Sequence, residues 1–329
     1  MIRVAMLSFW HVHAGDYLRQ ATNNPGTELV AVWDEEPDRG KAKAAEIGVE
    51  FVSDLDTLLA RDDVDAVICD TPTNLHRDVL VKAAKAGKHI FTEKVLAPTL
   101  AEAKEILAAV DEAGVVLTLS LPRLYDPYTQ TIDEVIASGR LGQLTLVRVR
   151  LSHGGALANW LPEHFYNKEQ TLGGALIDLG CHPMYLTAKF LGGLPDTVSA
   201  TYGYVSGREV EDSAVAVLSY PNGAIGVAEA GFVNKMNPFE IEIHGAEGSL
   251  FFGTPEAKLL VRAAGDDGFV EIPIGDRLPM AFDQWVKAVE GGSKTEENVA
   301  HGLSLTKLMD ASNRSAASGQ AISVADLPA

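Results

Sequence analysis

Cysteine is nearly absent from this chain: Cys69 and Cys181 are the only two in 329 residues. So few thiols, so far apart, exclude a disulfide-built scaffold and point to a reducing compartment. Each is read as a small buried side chain. Positive charge is also scarce, with 27 Lys and Arg against 45 Asp and Glu, a net of −18. A nucleic-acid partner needs a basic footprint, so none is expected. A phosphate-containing cofactor is still allowed, because it needs only local donors. No apolar run is long enough to span a bilayer, so no membrane partner is expected. The N-terminus opens directly into the strand-like Ile2-Arg3-Val4-Ala5-Met6-Leu7, without the pattern of a signal peptide. The expected location is therefore cytoplasmic.

The 30 glycines are spread widely, but they are missing from one informative place. A dinucleotide fingerprint would put glycine at positions 8, 10 and 13, and Ser8, Trp10 and His13 stand there. Glycine lets a turn approach a pyrophosphate closely, so a different backbone path is expected. Ser8 and His11 are candidate side-chain donors in its place, with Trp10 beside them.

Hydrophobic content of 47% and charged content of 22% fit a globular protein, and the length suggests two domains. The first, residues 1–121, alternates strand and helix. Strands are predicted at 2–7, 28–33, 50–52, 65–69, 89–91 and 115–119. The helices between them run over 13–23, 37–47, 55–60, 74–86 and 99–113. Pro37 near a first turn and stops at Gly48, Gly87 and Gly114 mark helix ends. Ser53 and Asn74 are read as caps, and Thr99 with Glu102 as a capping box. This alternation predicts an α/β doubly wound parallel sheet of the Rossmann type.

Ligands of such a sheet bind at the carboxyl ends of its strands. Asp34 lies there, about twenty residues past the first turn, where an acid accepts from an adenosine ribose. It would repel a 2′-phosphate, so NAD is favoured over NADP. Arg39 softens that preference, or is simply a solvated first-turn arginine. The turn Thr71-Pro72-Thr73-Asn74-Leu75-His76 shares the edge, with His76 read as a structural hydrogen bonder more than a cofactor contact. Glu93 and Lys94 sit where the fifth strand gives way to a loop. A lysine there can reach a substrate oxygen; an exposed Glu–Lys pair with no role is the bland alternative.

The second domain, residues 122–329, begins with the connector Pro122–Pro127 and a helix over 126–138. Strands follow with no helices between most of them: 144–151, 197–204, 213–220, 224–229, 239–244, 248–252, 258–261 and 269–272. Pro221-Asn222-Gly223 is a hairpin turn. This succession predicts an α+β domain on a largely antiparallel open sheet, closed by helices over 279–290 and 296–317. The segment Leu172–His182 opens a helix expected to reach about Leu191. Asp178 and His182, four apart, share one of its faces. A carboxylate and an imidazole on a mostly apolar helix are costly to bury without partners.

Taken together, Thr71-Pro72-Thr73-Asn74-Leu75-His76, Glu93-Lys94 and Gly173-Gly174-Ala175-Leu176-Ile177-Asp178-Leu179-Gly180-Cys181-His182 resemble the Gfo/Idh/MocA oxidoreductases. The resemblance covers nearly the whole chain in order. It implies NAD(P)-linked oxidation or reduction of sugars and polyols, with the open sheet forming a homodimer or homotetramer. The family's Glu-Lys-Pro motif falls on Glu93, Lys94 and Val95, so its proline is absent. The resemblance places the catalytic lysine on Lys94 and the Asp-x-x-x-His pair on Asp178 and His182.

The expected chemistry is hydride transfer with NAD. His182 is the candidate base, Lys94 the donor to the same oxygen, and Asp178 the group holding a neighbouring hydroxyl or orienting His182. Arg123, Tyr125, Trp160 and His164 are candidate substrate contacts or simply packing or surface residues; Trp160, just before the active-site helix, is the better candidate and could shield the nicotinamide. Two other readings stay open. His11, His13, His153, His164 and His182 with Asp178 could hold a metal for a lyase or hydrolase, alongside a version that retains NAD, although no local metal spacing appears and no metal is assigned. A sugar- or nucleotide-binding protein without catalysis is the other.

Overall fold

The computed structural model describes residues 1–328. The first third alternates as expected: β1 Ile2–Leu7, α1 Ala14–Asn23, β2 Thr27–Trp33, α2 Pro37–Ile47, β3 Glu50–Phe51, α3 Leu55–Leu59, β4 Ala66–Cys69, α4 His76–Lys85, β5 His89–Thr92, α5 Leu100–Ala113 and β6 Leu117–Leu119. The six strands form one sheet in the order β3-β2-β1-β4-β5-β6, with parallel pairings throughout. The order reverses between β1 and β4, which opens a crevice at their carboxyl ends. The strands read as continuous apolar runs because both faces of the sheet are covered: Val4, Ala5, Met6 and Leu7 are all fully buried.

Local signals end these elements where the sequence placed them, with two exceptions. Thr99 caps α5, its hydroxyl accepting from Glu102 N–H at 3.3 Å and donating to the Glu102 carboxylate at 2.7 Å. Asp54, not Ser53, caps α3 by accepting from Thr57 N–H at 2.7 Å. Asn74 caps nothing. Thr73–Leu75 form a 3₁₀ turn, and α4 starts one residue later on Leu75 without a side-chain cap.

The rest of the chain contains α6 Pro127–Ala137, β7 Leu144–Ser152, α7 Gly155–Ala158, α8 Lys168–Thr171, α9 Cys181–Phe190, β8 Thr197–Gly203, β9 Ser213–Ser219, β10 Ile225–Gly231, β11 Phe239–Gly245, β12 Gly248–Gly253, β13 Lys258–Ala263, β14 Val270–Ile272, α10 Ala281–Gly291, α11 Glu296–Ser318 and β15 Ile322–Ser323. A nine-stranded sheet runs β14-β13-β12-β11-β7-β10-β9-β8-β15. It is antiparallel apart from the β7–β10 pair. One face is apolar: Val147, Val149, Ala228, Ala230 and Ile241 are buried, and α9 packs on β7 and β10. The short α7, α8 and β15 have no clear sequence signature.

The contacts divide the chain into two compact units, residues 1–121 with 279–303, and residues 122–278 with 304–328. The break at 121/122 is where the sequence changes character. The return of 279–303 to the first unit has no local signal, since it depends on side chains meeting across the chain. Trp285 and Phe282 of α10 lie with ring centroids 5.8 and 5.2 Å from Phe91 on β5. Asn298 on α11 bonds both Leu119 N–H, at 2.7 Å, and Leu119 O, at 2.9 Å. Gly302 rests against Leu119, where a Cβ would come within 2.7 Å of that side chain. Among the described residues, no helix is long and apolar enough to cross a membrane.

Trp285 is wholly buried. Trp285→Ala is expected to lower the unfolding free energy by ~3–5 kcal/mol, because the sheet cannot close over so large a void. Urea denaturation followed by circular dichroism checks this. A midpoint unchanged from the parent would show that α10 adds nothing to the stability of the first unit.

Candidate active site on the Rossmann unit

The first turn, after β1, shows how a protein builds this bend without glycines. Ser8 takes a positive φ of 77°, a conformation glycine adopts more easily. The turn's amides are then satisfied by its own side chains. Phe9 N–H donates to Asp34 Oδ2 at 3.0 Å, Trp10 N–H to Ser8 Oγ at 3.1 Å, and His13 N–H to His11 Nδ1 at 3.2 Å. Trp10 is buried. A glycine turn would aim such amides at phosphate; here three of them are already in use.

Asp34 is likewise filled. It accepts from Phe9 N–H, from Glu36 N–H at 2.8 Å, and from Arg39 Nε and Nη2 at 2.9 and 2.6 Å. Arg39 also reaches Glu35 at 2.6 Å and Ser8 Oγ at 3.4 Å. Arg39 is therefore not a solvated arginine. It ties α2 to the first turn, with burial opposing its charge and Asp34 and Glu35 restoring it.

Past β4, Thr71, Pro72 and Thr73 are buried and Asn74 is exposed. His76 is 1% exposed and has the structural role expected of it. Its Nδ1 lies 2.8 Å from Val95 O and its Nε2 3.2 Å from Thr71 O. The ring thus spans the turn after β4 and the loop after β5, holding the backbone that carries Lys94. The Lys94–Val95 peptide bond is cis.

Glu93 and Lys94 are not an exposed pair: both side chains are 2% exposed, with Lys94 Nζ 3.4 Å from Glu93 Oε1. Tyr17 donates a hydrogen bond to Glu93 Oε2, and His13 Nδ1 lies 3.4 Å from the same oxygen. Burial pushes the Glu93 carboxyl up, but the charges of His11, Lys94 and His13 outweigh it and hold the group at about 2. Glu93 is thus an ionised carboxylate that fixes the ammonium of Lys94. His11, His13 and Glu93 converge with one donor atom each within 4.8 Å. Of the set proposed for a metal, only His11 and His13 belong to this group, and a hydrogen-bonded carboxylate between cations accounts for it. His153, His164, His182 and Asp178 are not part of it.

The second unit carries the other candidates. Leu176–Gly180 form a π turn and α9 begins at Cys181, so the expected single helix changes its winding between Asp178 and His182. Such a bulge is common where function bends a helix. Gly180 permits close packing: a Cβ there would lie 2.9 Å from Ala230 Cβ. His182 is 6% exposed, and its Nδ1 lies 2.9 Å from Tyr185 Oη. Tyr185 Oη also accepts from Arg123 N–H at 3.1 Å, and burial holds this phenol well above its ordinary range. Asp178 is half-buried, and its charge acts on His153, whose imidazole burial otherwise pushes down.

Arg123, read from sequence as a substrate contact or as packing, is packed among aromatic rings. Its guanidinium lies 4.4 Å from the Phe239 ring and 3.2 Å from Tyr128 Oη. Trp160 is 55% exposed, with its ring 4.7 Å from that of His153. His164 lines a separate open cleft of about 380 Å³ with Glu163, Tyr166, Asn167, Arg208 and Glu209. Sequence reasoning missed Tyr185 and gave His153 only to a metal. The i, i+3 spacing of Tyr185 from His182 was the available signal.

Burial lowers the His76 imidazole below its ordinary value of 6.5, while backbone carbonyls pull it up. The unfolded imidazole binds protons first as pH falls, so this contribution to stability is full above about 6.5 and is lost as pH drops through the folded value. His76→Asn is expected to flatten the acid limb of a melting-temperature profile between neutral and mildly acidic pH. An unchanged slope would show that the ring is not the titrating group.

Asp70 follows β4, and both its carboxyl oxygens are buried without a hydrogen-bond partner among the described residues. Residues 10–121 match the oxidoreductase family model with an NAD-binding Rossmann fold, and residues 129–251 the GFO/IDH/MocA C-terminal domain. The chain is 29% identical over 330 residues to a 1,5-anhydro-D-fructose reductase of Ensifer adhaerens, covering 94% of this chain and 95% of the other. It is 30% identical over 263 residues to a scyllo-inositol 2-dehydrogenase (NAD(+)) of Bacillus subtilis, covering 77% and 74%. Among solved structures it resembles a levoglucosan dehydrogenase in complex with NADH and levoglucosan, at 23% identity and a TM-score of 0.81 over 98% and 99% of the two chains. A protein of gentamicin A biosynthesis in complex with NAD gives 25% identity and a TM-score of 0.82 over 98% and 96%. With both domains matched, and with a buried Glu93–Lys94 pair at the ligand edge of an NAD-binding sheet, the chain belongs to the Gfo/Idh/MocA family of NAD-binding oxidoreductases.

Proposed function

We propose that this enzyme interconverts a secondary alcohol and a ketone on a neutral sugar, anhydrosugar or inositol-like ring. The observation that carries the reading is the buried Lys94 ammonium beside an ionised Glu93 at the carboxyl end of β5. Relatives named for inositol and anhydrofructose support the substrate class. The net charge of −18 disfavours a strongly anionic substrate.

When bound, NAD supplies the hydride acceptor or donor. In the oxidising direction the alcohol carbon loses a hydride and its hydroxyl loses a proton, leaving a ketone, NADH and the released proton. Lys94 donates a hydrogen bond to that oxygen and stabilises its developing negative charge. Its ammonium cannot turn away cheaply, because the buried charge of Glu93 would lose one of the cations that stabilise it. His182 takes the proton at Nε2. For Nε2 to hold the lone pair, Nδ1 keeps its hydrogen and donates it to Tyr185 Oη, 2.9 Å away. Asp178 holds a neighbouring hydroxyl or orients His182.

The outward face of the nine-stranded sheet supports assembly with a second copy. Val215 and Ile225 are exposed on it, and Arg148 and Arg150 are laced to Glu229, Glu240 and Glu242. Such a face, with exposed apolar residues beside internally paired charges, suits burial in a homodimer or homotetramer.

Lys94→Ala and His182→Ala are each expected to lower kcat by about tenfold or more on the best substrate of a sugar and polyol panel, with circular dichroism unchanged. Normal turnover in either variant removes that residue from the mechanism. Tyr185→Phe should lower kcat and displace the acidic limb of the pH–rate profile; a displaced KM alone would make it packing. Ile225→Glu should shift the mass measured by light scattering toward the monomer, and an unchanged mass would place any interface elsewhere.

A further inference from the structure

Glu211 stands just before β9, and the mechanism above does not use it. It is 4% exposed, so a carboxyl group has been drawn into the interior of the second unit. Such burial is costly unless partners replace the lost water. Its partners are backbone amides far away in sequence. Leu176 N–H donates to Glu211 Oε1 at 3.1 Å, and Ala175 N–H donates to Glu211 O at 2.8 Å. Burial pushes the carboxyl up, and the amides of Gly174 and Leu176 draw it back down. These amides open the helical segment that carries Asp178 and His182.

That segment cannot cap itself. A helix start leaves its first amides without partners inside the helix, and a nearby side-chain oxygen normally accepts from one of them. Here the preceding residues are Leu172, Gly173, Gly174 and Ala175, none with a side-chain acceptor, and the π turn has no side-chain cap of its own. A carboxylate from elsewhere suits the positive end of the helix. Gly174 admits it: a Cβ there would lie 2.0 Å from Glu211 O. Later in the turn, Gly180 rests on Ala230 of β10, where a Cβ would lie 2.9 Å from Ala230 Cβ. The start of the helix is thus fixed at two points, with Asp178 between them and His182 just beyond. Register matters here, because a slip of one residue turns every side chain by about 100° around the axis. Such a slip would re-aim both Asp178 and His182.

We propose that Glu211 is a positioning residue: its carboxylate and its carbonyl hold the start of the π turn in register and so set where His182 meets the substrate oxygen. It acts through the helix, without contact to the reacting atoms. The inference rests on the reading of His182 as the base.

The test compares Glu211→Gln, which keeps an acceptor at the same place, with Glu211→Met, which keeps the bulk and has none. Each is made in the parent and in the His182→Ala background, and kcat is measured with the best substrate of the sugar and polyol panel. Glu211→Met is expected to lower kcat by about tenfold or more in the parent and by less than about twofold in the His182→Ala background. Glu211→Gln should stay within about threefold of the parent. In the ligand-free protein, amide hydrogen exchange over residues 174–182 should quicken in Glu211→Met and keep the parental rate in Glu211→Gln. An equal loss of kcat in both backgrounds, equal losses in the Gln and Met variants, a parental kcat in Glu211→Met, or parental exchange in that variant would each overturn the proposal. If Glu211→Met does not fold, Glu211→Asp, whose shorter arm draws the carboxylate back from Leu176, takes its place under the same criteria. Normal turnover in His182→Ala alone would remove the base, and this proposal with it, a result separate from a failure of Glu211.

Discussion

A single buried negative charge organises the ligand edge of the first unit. Glu93 is 2% exposed and ionised, so it must be surrounded by donors, and Lys94, His13 and Tyr17 supply them from two different elements. Taking one such ion out of water costs on the order of several kcal/mol unless the pairing is good. That requirement keeps the Lys94 ammonium charged and in place before any substrate arrives. It also couples the first turn to the end of β5, because His11 and His13 act on Glu93 from the turn that replaces the glycine fingerprint.

The turn itself follows a consistent chemistry. Without glycine at its key positions, its backbone cannot easily present amides to an anion, and its own side chains accept them instead. Asp34, Ser8 and His11 each take one. Arg39 then locks Asp34 from the opposite side. His76 repeats the theme at the neighbouring crossing, where one ring bonds carbonyls from two loops. The result is an edge whose geometry is set by polar contacts within the chain, with neither Asp70 oxygen hydrogen-bonded.

Much of this was legible beforehand. Alternating strands and helices, with Gly48 and Gly114 as stops in left-handed geometry, give the parallel sheet and most of its boundaries. The run of strands from Thr197 to Ile272 gives the open sheet and its hairpin. Lys94 was singled out by its place at the end of the fifth strand, and His182 because an imidazole is costly to bury on a mostly apolar helix. Other features were hidden. Arg123 was read as binding or packing, and its stacking on Phe239 was not legible, since nothing near it in sequence announces that aromatic partner. Asn74 looked like a cap, but the helix begins a residue too late. The π turn at Leu176–Gly180 follows from packing between Gly180 and β10, which local propensity cannot register.

By itself, then, the chain's order of residues determined the main strands and helices, their division between two sheets, and which side chains are candidates for chemistry. Those properties arise from periodicity, caps and turn residues a few positions apart. Tertiary structure alone decided the charge state of Glu93, the clamping of Asp34 by Arg39, the tautomer partner of His182 and the isolation of Asp70. Each depends on how much water is excluded and which distant groups remain to replace it, and neither quantity is written in neighbouring residues.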